Sequence, residues 1–100
     1  VPTPNVSLVD FKFNTKKNIS IESLNNKFQE YANKSLKNIL GVDRDPKVSS
    51  DYNHDSRSSI LDLSETTTVS DNFGRILTWY DNEWGFSNRM LETTAQVCNL

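Results

Sequence analysis

The chain has 100 residues, of which 35% are hydrophobic and 24% charged, with a net charge of −2 at pH 7 and one cysteine. That length suits a single domain burying about 60–70% of its unfolded surface. The charge balance gives no basic footprint for nucleic acid or a membrane surface, and one cysteine excludes an internal disulfide or a multi-cysteine zinc site. With no apolar run of about 18 residues and no signal-peptide pattern, a cytoplasmic location is expected. The apolar supply is thin, since hydrophobic residues and glycine together fall below the roughly 45–50% of typical domains. A core completed against other chain is therefore expected. The sequence starts at Val1 and has its only methionine at Met90, so a piece of a longer protein is also expected. Three Asn-x-Ser triplets, at Asn5, Asn18 and Asn33, are about what 12 asparagines among 20 serines and threonines give by chance, and they carry no weight as glycosylation sites.

In chain order, Pro2 and Pro4 predict an extended lead-in. Residues 5–16 then alternate, with Val9, Phe11 and Phe13 on one face and Asp10, Lys12 and Asn14 on the other, which predicts a half-buried strand. Ser20 suits a helix N-cap, with Ile19 placed to staple onto Leu24. Leu24, Phe28 and Tyr31 form one apolar stripe on a helix running to about Asn33. Leu36, Ile39 and Leu40 form a short apolar segment ended by a turn at Gly41, and Val48 to Asn53 suggest a strand after Pro46. Ser59 to Val69 is rich in β-formers. Asp71-Asn72-Phe73-Gly74 supplies turn chemistry before a returning strand at Arg75 to Tyr80. A final helix from about Glu83 carries Phe86, Met90 and Val97 on one face, with Gly85 tolerated in its first turn. The fold class that follows is α+β, a mostly antiparallel mixed sheet covered by helices.

Three places could carry chemistry. His54, the only histidine, lies between Asp51 and Asp55. Their spacing in an irregular segment does not make a metal or acid–base site converge, so a loop with Asx-type turns is the simpler reading. Cys98 has no basic neighbour in QVCNL to favour a thiolate, and reads as an inert, half-buried thiol. The third place is Trp79 to Met90, WYDNEWGFSNRM, where aromatic residues surround Asp81, Asn82 and Glu83. A strand-to-helix junction falls there, and such junctions expose free backbone N–H groups. Either Asp81 or Asn82 can cap the helix, and an amide can also donate and accept at once toward a ligand amide.

WYDNEWGFSNRM closely resembles the carboxy-terminal signature of phosphorylating glyceraldehyde-3-phosphate dehydrogenases. VPTPNVSLVD resembles the segment that opens the long strand of their catalytic domain, and VSSDYNHDSRSSILD a later strand–loop–strand, in the same order from Val1 to about Val97. The resemblance implies that residues 1–100 are the C-terminal portion of a catalytic α+β domain. An upstream Rossmann NAD-binding domain would carry the glycine-rich loop, and an upstream segment the catalytic cysteine and histidine. It further implies a cytoplasmic homotetramer of glycolysis, oxidising glyceraldehyde 3-phosphate with NAD and phosphate to 1,3-bisphosphoglycerate. The substrate-phosphate arginine of the family stands just before Val-Pro-Thr. By the same resemblance, Asn82 matches the asparagine that hydrogen-bonds the nicotinamide carboxamide. Phe86 stands where many members have tyrosine near that ring, so a hydroxyl-mediated contact is lost. Glu83 and Arg89 support the junction or an interface. Erythrose-4-phosphate dehydrogenases share much of the motif, although Tyr80 leans away from them. A stand-alone binding module derived from the same domain is the non-enzymatic alternative.

Overall fold

The computed structural model describes residues 2–45 and 47–99. Its elements are β1 (Ser7–Asn14), α1 (Ile21–Asn33), β2 (Leu40–Asp43), a 3-10 turn (Ser49–Tyr52), β3 (Ser59–Ser70), β4 (Phe73–Tyr80) and α2 (Trp84–Cys98). The strands form one sheet in the order β1-β4-β3-β2. Both β1–β4 and β3–β4 are antiparallel, and β2 runs parallel to β3. The protein is therefore α+β with a mixed, mostly antiparallel sheet, as the alternating runs imply.

The inner strand β3 buries residues on both faces. Ile60 joins Val6 and Tyr52 in one cluster, with Trp79 against it. Leu61 and Leu63 join Ile76 in a second, against which Phe13, Phe28 and Leu40 pack. Alternation thus divides the apolar residues of β3 between two small cores, one on each side of the sheet. Helix α1 lies over the second. Its Ser20 cap accepts from the Ser23 N–H, and the Ser23 hydroxyl accepts from the Ser20 N–H, closing a capping box. Along the helix, Phe28 packs inward while Tyr31 stays exposed. The buried side chain is Asn25, outside the expected apolar stripe, whose Nδ2 donates to the Leu63 carbonyl oxygen over 3.1 Å. A hydrogen bond to a strand carbonyl lets a polar side chain occupy a core position.

Two segments depart from expectation. Gly41 does not end a turn but lies within β2, opposite Ile60. The room left by its missing side chain holds the Arg57 guanidinium, which would meet any Cβ placed there. Residues 49–52 form a 3-10 turn rather than a strand, because Asp51 Oδ2 accepts from the Val48 N–H over 2.9 Å and closes the chain into a turn. Pro46, which precedes this segment, lies outside the described residues. The β3–β4 hairpin is as expected, with a two-residue loop, Asp71-Asn72, between Ser70 and Phe73. Neither loop residue has positive φ. The loop is therefore not the I′ form that matches strand twist, and the ladder beside it shifts register.

Helix α2 extends away from the sheet. Every residue from Met90 to Asn99 is exposed, and Phe86, Met90 and Val97, which share the apolar stripe expected of this helix, are all at least half exposed. Among the described residues, no helix is long and apolar enough to cross a membrane. What fixes α2 in place is concentrated at its first two turns, beside Asn82.

Candidate functional site

The junction between β4 and α2 is built around a buried carboxylate. Asp81, only 3% exposed, accepts four hydrogen bonds. Oδ2 receives Asn5 Nδ2 and the His54 backbone N–H, each at 2.9 Å. Oδ1 receives the backbone N–H groups of Trp84 at 3.1 Å and Glu83 at 3.3 Å. One side chain thus satisfies N–H groups at the start of α2, which have no partner within the helix, and ties them to the segment before β1 and the loop before β3. Burial alone would push the Asp81 carboxyl up. The N–H groups of His54 and Trp84, the Asn5 amide and the Glu83 N–H together hold it below the ordinary carboxylate value.

With Asp81 turned inward, Asn82 is turned outward. It is exposed, and its Oδ1 accepts from the Ser7 hydroxyl over 2.5 Å. Among the described residues its Nδ2 makes no hydrogen bond. The two adjacent polar residues that either could have capped the helix are therefore split. Neither is the N-cap residue: Glu83 holds that position without a side-chain hydrogen bond, while Asp81, two residues earlier, accepts from the Glu83 and Trp84 N–H groups and Asn82 faces solvent.

The backbone opposite them is strained. Val6 lies between Asn5, which binds Asp81, and Ser7, which binds Asn82; it has φ of +73° and is almost fully buried. A β-branched residue in the left-handed region costs about 1–3 kcal/mol, and persists only where its surroundings over-determine it. Here the β1–β4 ladder begins at Ser7 opposite Tyr80, while the Asn5–Asp81 bond holds the other side. His54, also left-handed at φ +62°, lays its ring 5.6 Å from the Trp84 ring in a stacked arrangement.

The aromatic residues of the motif do not form one platform. Trp79 stacks on Tyr52 at 5.5 Å and belongs to a core cluster. Trp84 is 45% exposed beside His54, and Phe86, two residues further along α2, is 66% exposed. Phe86 and Asn82 both lie at the start of α2, Asn82 two residues before it and Phe86 as its third residue. Arg89 anchors the second turn, donating from Nη1 to Ser58 Oγ at 3.1 Å and pairing through Nη2 with Glu92. Glu83 contributes its backbone, its carbonyl oxygen accepting from the Ser87 N–H.

Asn5 and Ser7 are the members that sequence reasoning passed over. Their only signal was polarity at the start of an alternating strand. It acquires meaning once β1 is known to pair antiparallel with β4, which carries residues 5–7 to the end of β4. His54 acts through its main chain and its ring face. Among the described residues, no group of three or more His, Cys, Asp or Glu could hold a metal ion. Cys98, expected to be half buried, is exposed at the last residue of α2. A groove lies elsewhere, between the start of α1 at Ile19–Glu22 and the β3–β4 hairpin at Thr68–Asp71, and shares no residue with this cluster.

The family described as "Glyceraldehyde 3-phosphate dehydrogenase, C-terminal domain" matches residues 1–82, so the match ends on Asn82. The chain is 45% identical over 100 residues to the glyceraldehyde-3-phosphate dehydrogenase of Cereibacter sphaeroides, covering all of this chain and 30% of that protein. Identity to the Xanthobacter flavus protein of the same name is 46% over 100 residues, with the same coverage. The fungal counterpart from Ajellomyces capsulatus is 41% identical over 100 residues. The chain spans about 30% of the length of these relatives.

Proposed function

Because the chain belongs to the glyceraldehyde-3-phosphate dehydrogenase family, matching its C-terminal domain over residues 1–82, we propose that it forms the nicotinamide-facing edge of such an enzyme's active site. The enzyme oxidises glyceraldehyde 3-phosphate with NAD and phosphate to 1,3-bisphosphoglycerate in glycolysis, and Asn82 is the residue of this chain that touches the cofactor. The observation that carries this reading is the amide itself, held at one edge by Ser7 and open at the other, on a junction made rigid by Asp81. A nicotinamide carboxamide offers a carbonyl oxygen and an NH2 group side by side. Asn82 has donor hydrogens on Nδ2 and a remaining lone pair on Oδ1, so the donor set fits that group. NAD supplies the hydride acceptor when bound. Asn82 holds the carboxamide and thereby selects the ring face, while Phe86 lends apolar surface near the ring without a hydroxyl.

The nucleophile and base come from other parts of the enzyme. Cys98 is exposed at the end of α2, and the His54 ring is engaged with Trp84. The chain on its own is accordingly expected to show no NAD-dependent oxidation of glyceraldehyde 3-phosphate. Turnover by the purified 100-residue chain would sink this division of labour. Uncovered apolar side chains on β1 and α2, including Val9, Phe11, Phe86 and Leu91, support the expectation that further chain and neighbouring subunits of a homotetramer complete the core.

In the complete enzyme, Asn82→Ala should weaken NAD binding by about 1.5 kcal/mol, roughly tenfold, and loosen the stereochemistry of hydride transfer. A fluorescence titration with NAD, and deuterium placement in the NADH formed, measure the two effects. Wild-type affinity together with wild-type stereochemistry would remove Asn82 from the cofactor site.

A further inference from the structure

We propose that Ser7 is a positioning residue for the cofactor contact, fixing the plane of the Asn82 amide before the ligand arrives. The inference rests on the reading of Asn82 given above. Asn82 is exposed and stands outside regular structure, between the end of β4 and the start of α2. An unrestrained side chain there would sample several rotamers, and binding would have to freeze them at a cost in affinity. The 2.5 Å bond from Ser7 Oγ to Asn82 Oδ1 does that freezing in advance.

Ser7 is a firm anchor because its own backbone is held. It begins the ladder of β1 opposite Tyr80, directly after the left-handed Val6, and Asn5 is bound to Asp81 two residues before it. Two adjacent residues after β4 are thereby gripped by two residues flanking Val6, Asp81 by Asn5 and Asn82 by Ser7. The first grip holds the carboxylate that receives the Glu83 and Trp84 N–H groups at the start of α2. The second engages only the inner edge of an exposed amide and leaves its outer edge for a ligand, which is a placement for recognition.

The test uses the complete enzyme and compares NAD with ADP-ribose, which lacks the nicotinamide. Ser7→Ala should lower NAD affinity about fivefold and leave ADP-ribose affinity unchanged. Ser7→Thr, which keeps the hydroxyl, should restore NAD affinity, whereas Ser7→Val, of the same shape without it, should not. In an Asn82→Ala background, Ser7→Ala should have no further effect on NAD. Full NAD affinity in Ser7→Ala, with a loss in Asn82→Ala, would overturn the positioning role and leave the Asn82 contact standing. Equal losses for NAD and ADP-ribose, or failure of threonine to rescue, would reduce Ser7 to a structural residue and overturn the proposal. If Asn82→Ala itself binds NAD normally, both assignments fall.

Discussion

Asp81→Ala is expected to destabilise the protein by about 4 kcal/mol and to release the start of α2. Hydrogen bonds to a charged group are each worth about 1.5–3 kcal/mol, and four donors lose their partner at once. The total falls below the sum because donors near the surface recover water. Asp81→Asn should cost less, since it keeps the shape and one acceptor oxygen, but it turns an NH2 toward groups that also donate. The effect should also depend on pH. The folded carboxyl titrates below the ordinary value, so its contribution is complete above the unfolded value of about 3.9 and is lost as pH falls through the folded one. Asp55, lowered by the Arg57 side-chain bond, and Asp10, lowered by the Arg75 side-chain bond, lose stabilisation in the same direction. Only the difference between wild type and Asp81→Ala isolates residue 81. Urea melts at pH 7 and down to about pH 2 should show that difference shrinking below about pH 4. A difference under about 1 kcal/mol at pH 7 would mean that the Asp81 carboxylate is not what holds the junction.

The division between Asp81 and Asn82 shows what a local reading of the sequence can reach. Elements whose signals are local are present: the strand β1, the Ser20 cap of α1, and the turn at Asp71-Asn72; the half-buried face expected of β1 is not, since Val9 and Phe11 are exposed and only Phe13 packs inward. Gly41 departs from its local signal for a long-range reason, whereas residues 49–52 turn on the local hydrogen bond from the Val48 N–H to Asp51. The space beside Gly41 belongs to Arg57, and the parallel pairing of β2 with β3 is set by residues nearly 20 positions away. Which of two neighbouring polar residues turns inward at the end of β4 was likewise a long-range matter. Asp81 is chosen because Asn5 and the His54 N–H converge on it from segments 76 and 27 residues away. Neither pattern nor spacing within WYDNEWGFSNRM contains that information. Only the family resemblance set Asn82 apart from its neighbour. The structure adds a physical reason for the separation, because Asp81 already takes the Glu83 and Trp84 N–H groups.

Gly85→Val should be the second most damaging change at this site, at about 3 kcal/mol, with Gly85→Ala intermediate. Helix propensity argues the other way. Glycine to alanine inside a helix is worth up to about 1 kcal/mol of stabilisation, and Gly85 is the second residue of α2. Close approach decides the sign. A Cβ on Gly85 would lie 2.9 Å from the Arg57 carbonyl oxygen and 3.5 Å from Ser58 Cα, both main-chain atoms. That backbone cannot readily withdraw, because the N–H groups of Ser58 and Ser59 both donate to the Ile39 carbonyl oxygen as the chain enters β3. The helix must move instead, and three further contacts lie along its path: the Trp84–Asp81 hydrogen bond, the His54–Trp84 stack and the Arg89–Ser58 hydrogen bond. Asn82 stands two residues before α2, so its amide moves with the first turn. NAD affinity of the complete enzyme should therefore fall together with stability, in the order wild type, Gly85→Ala, Gly85→Val. A Gly85→Ala protein that melts higher than wild type and binds NAD as well would show that propensity outweighs contact here. The α2–β3 approach would then have no part in holding Asn82.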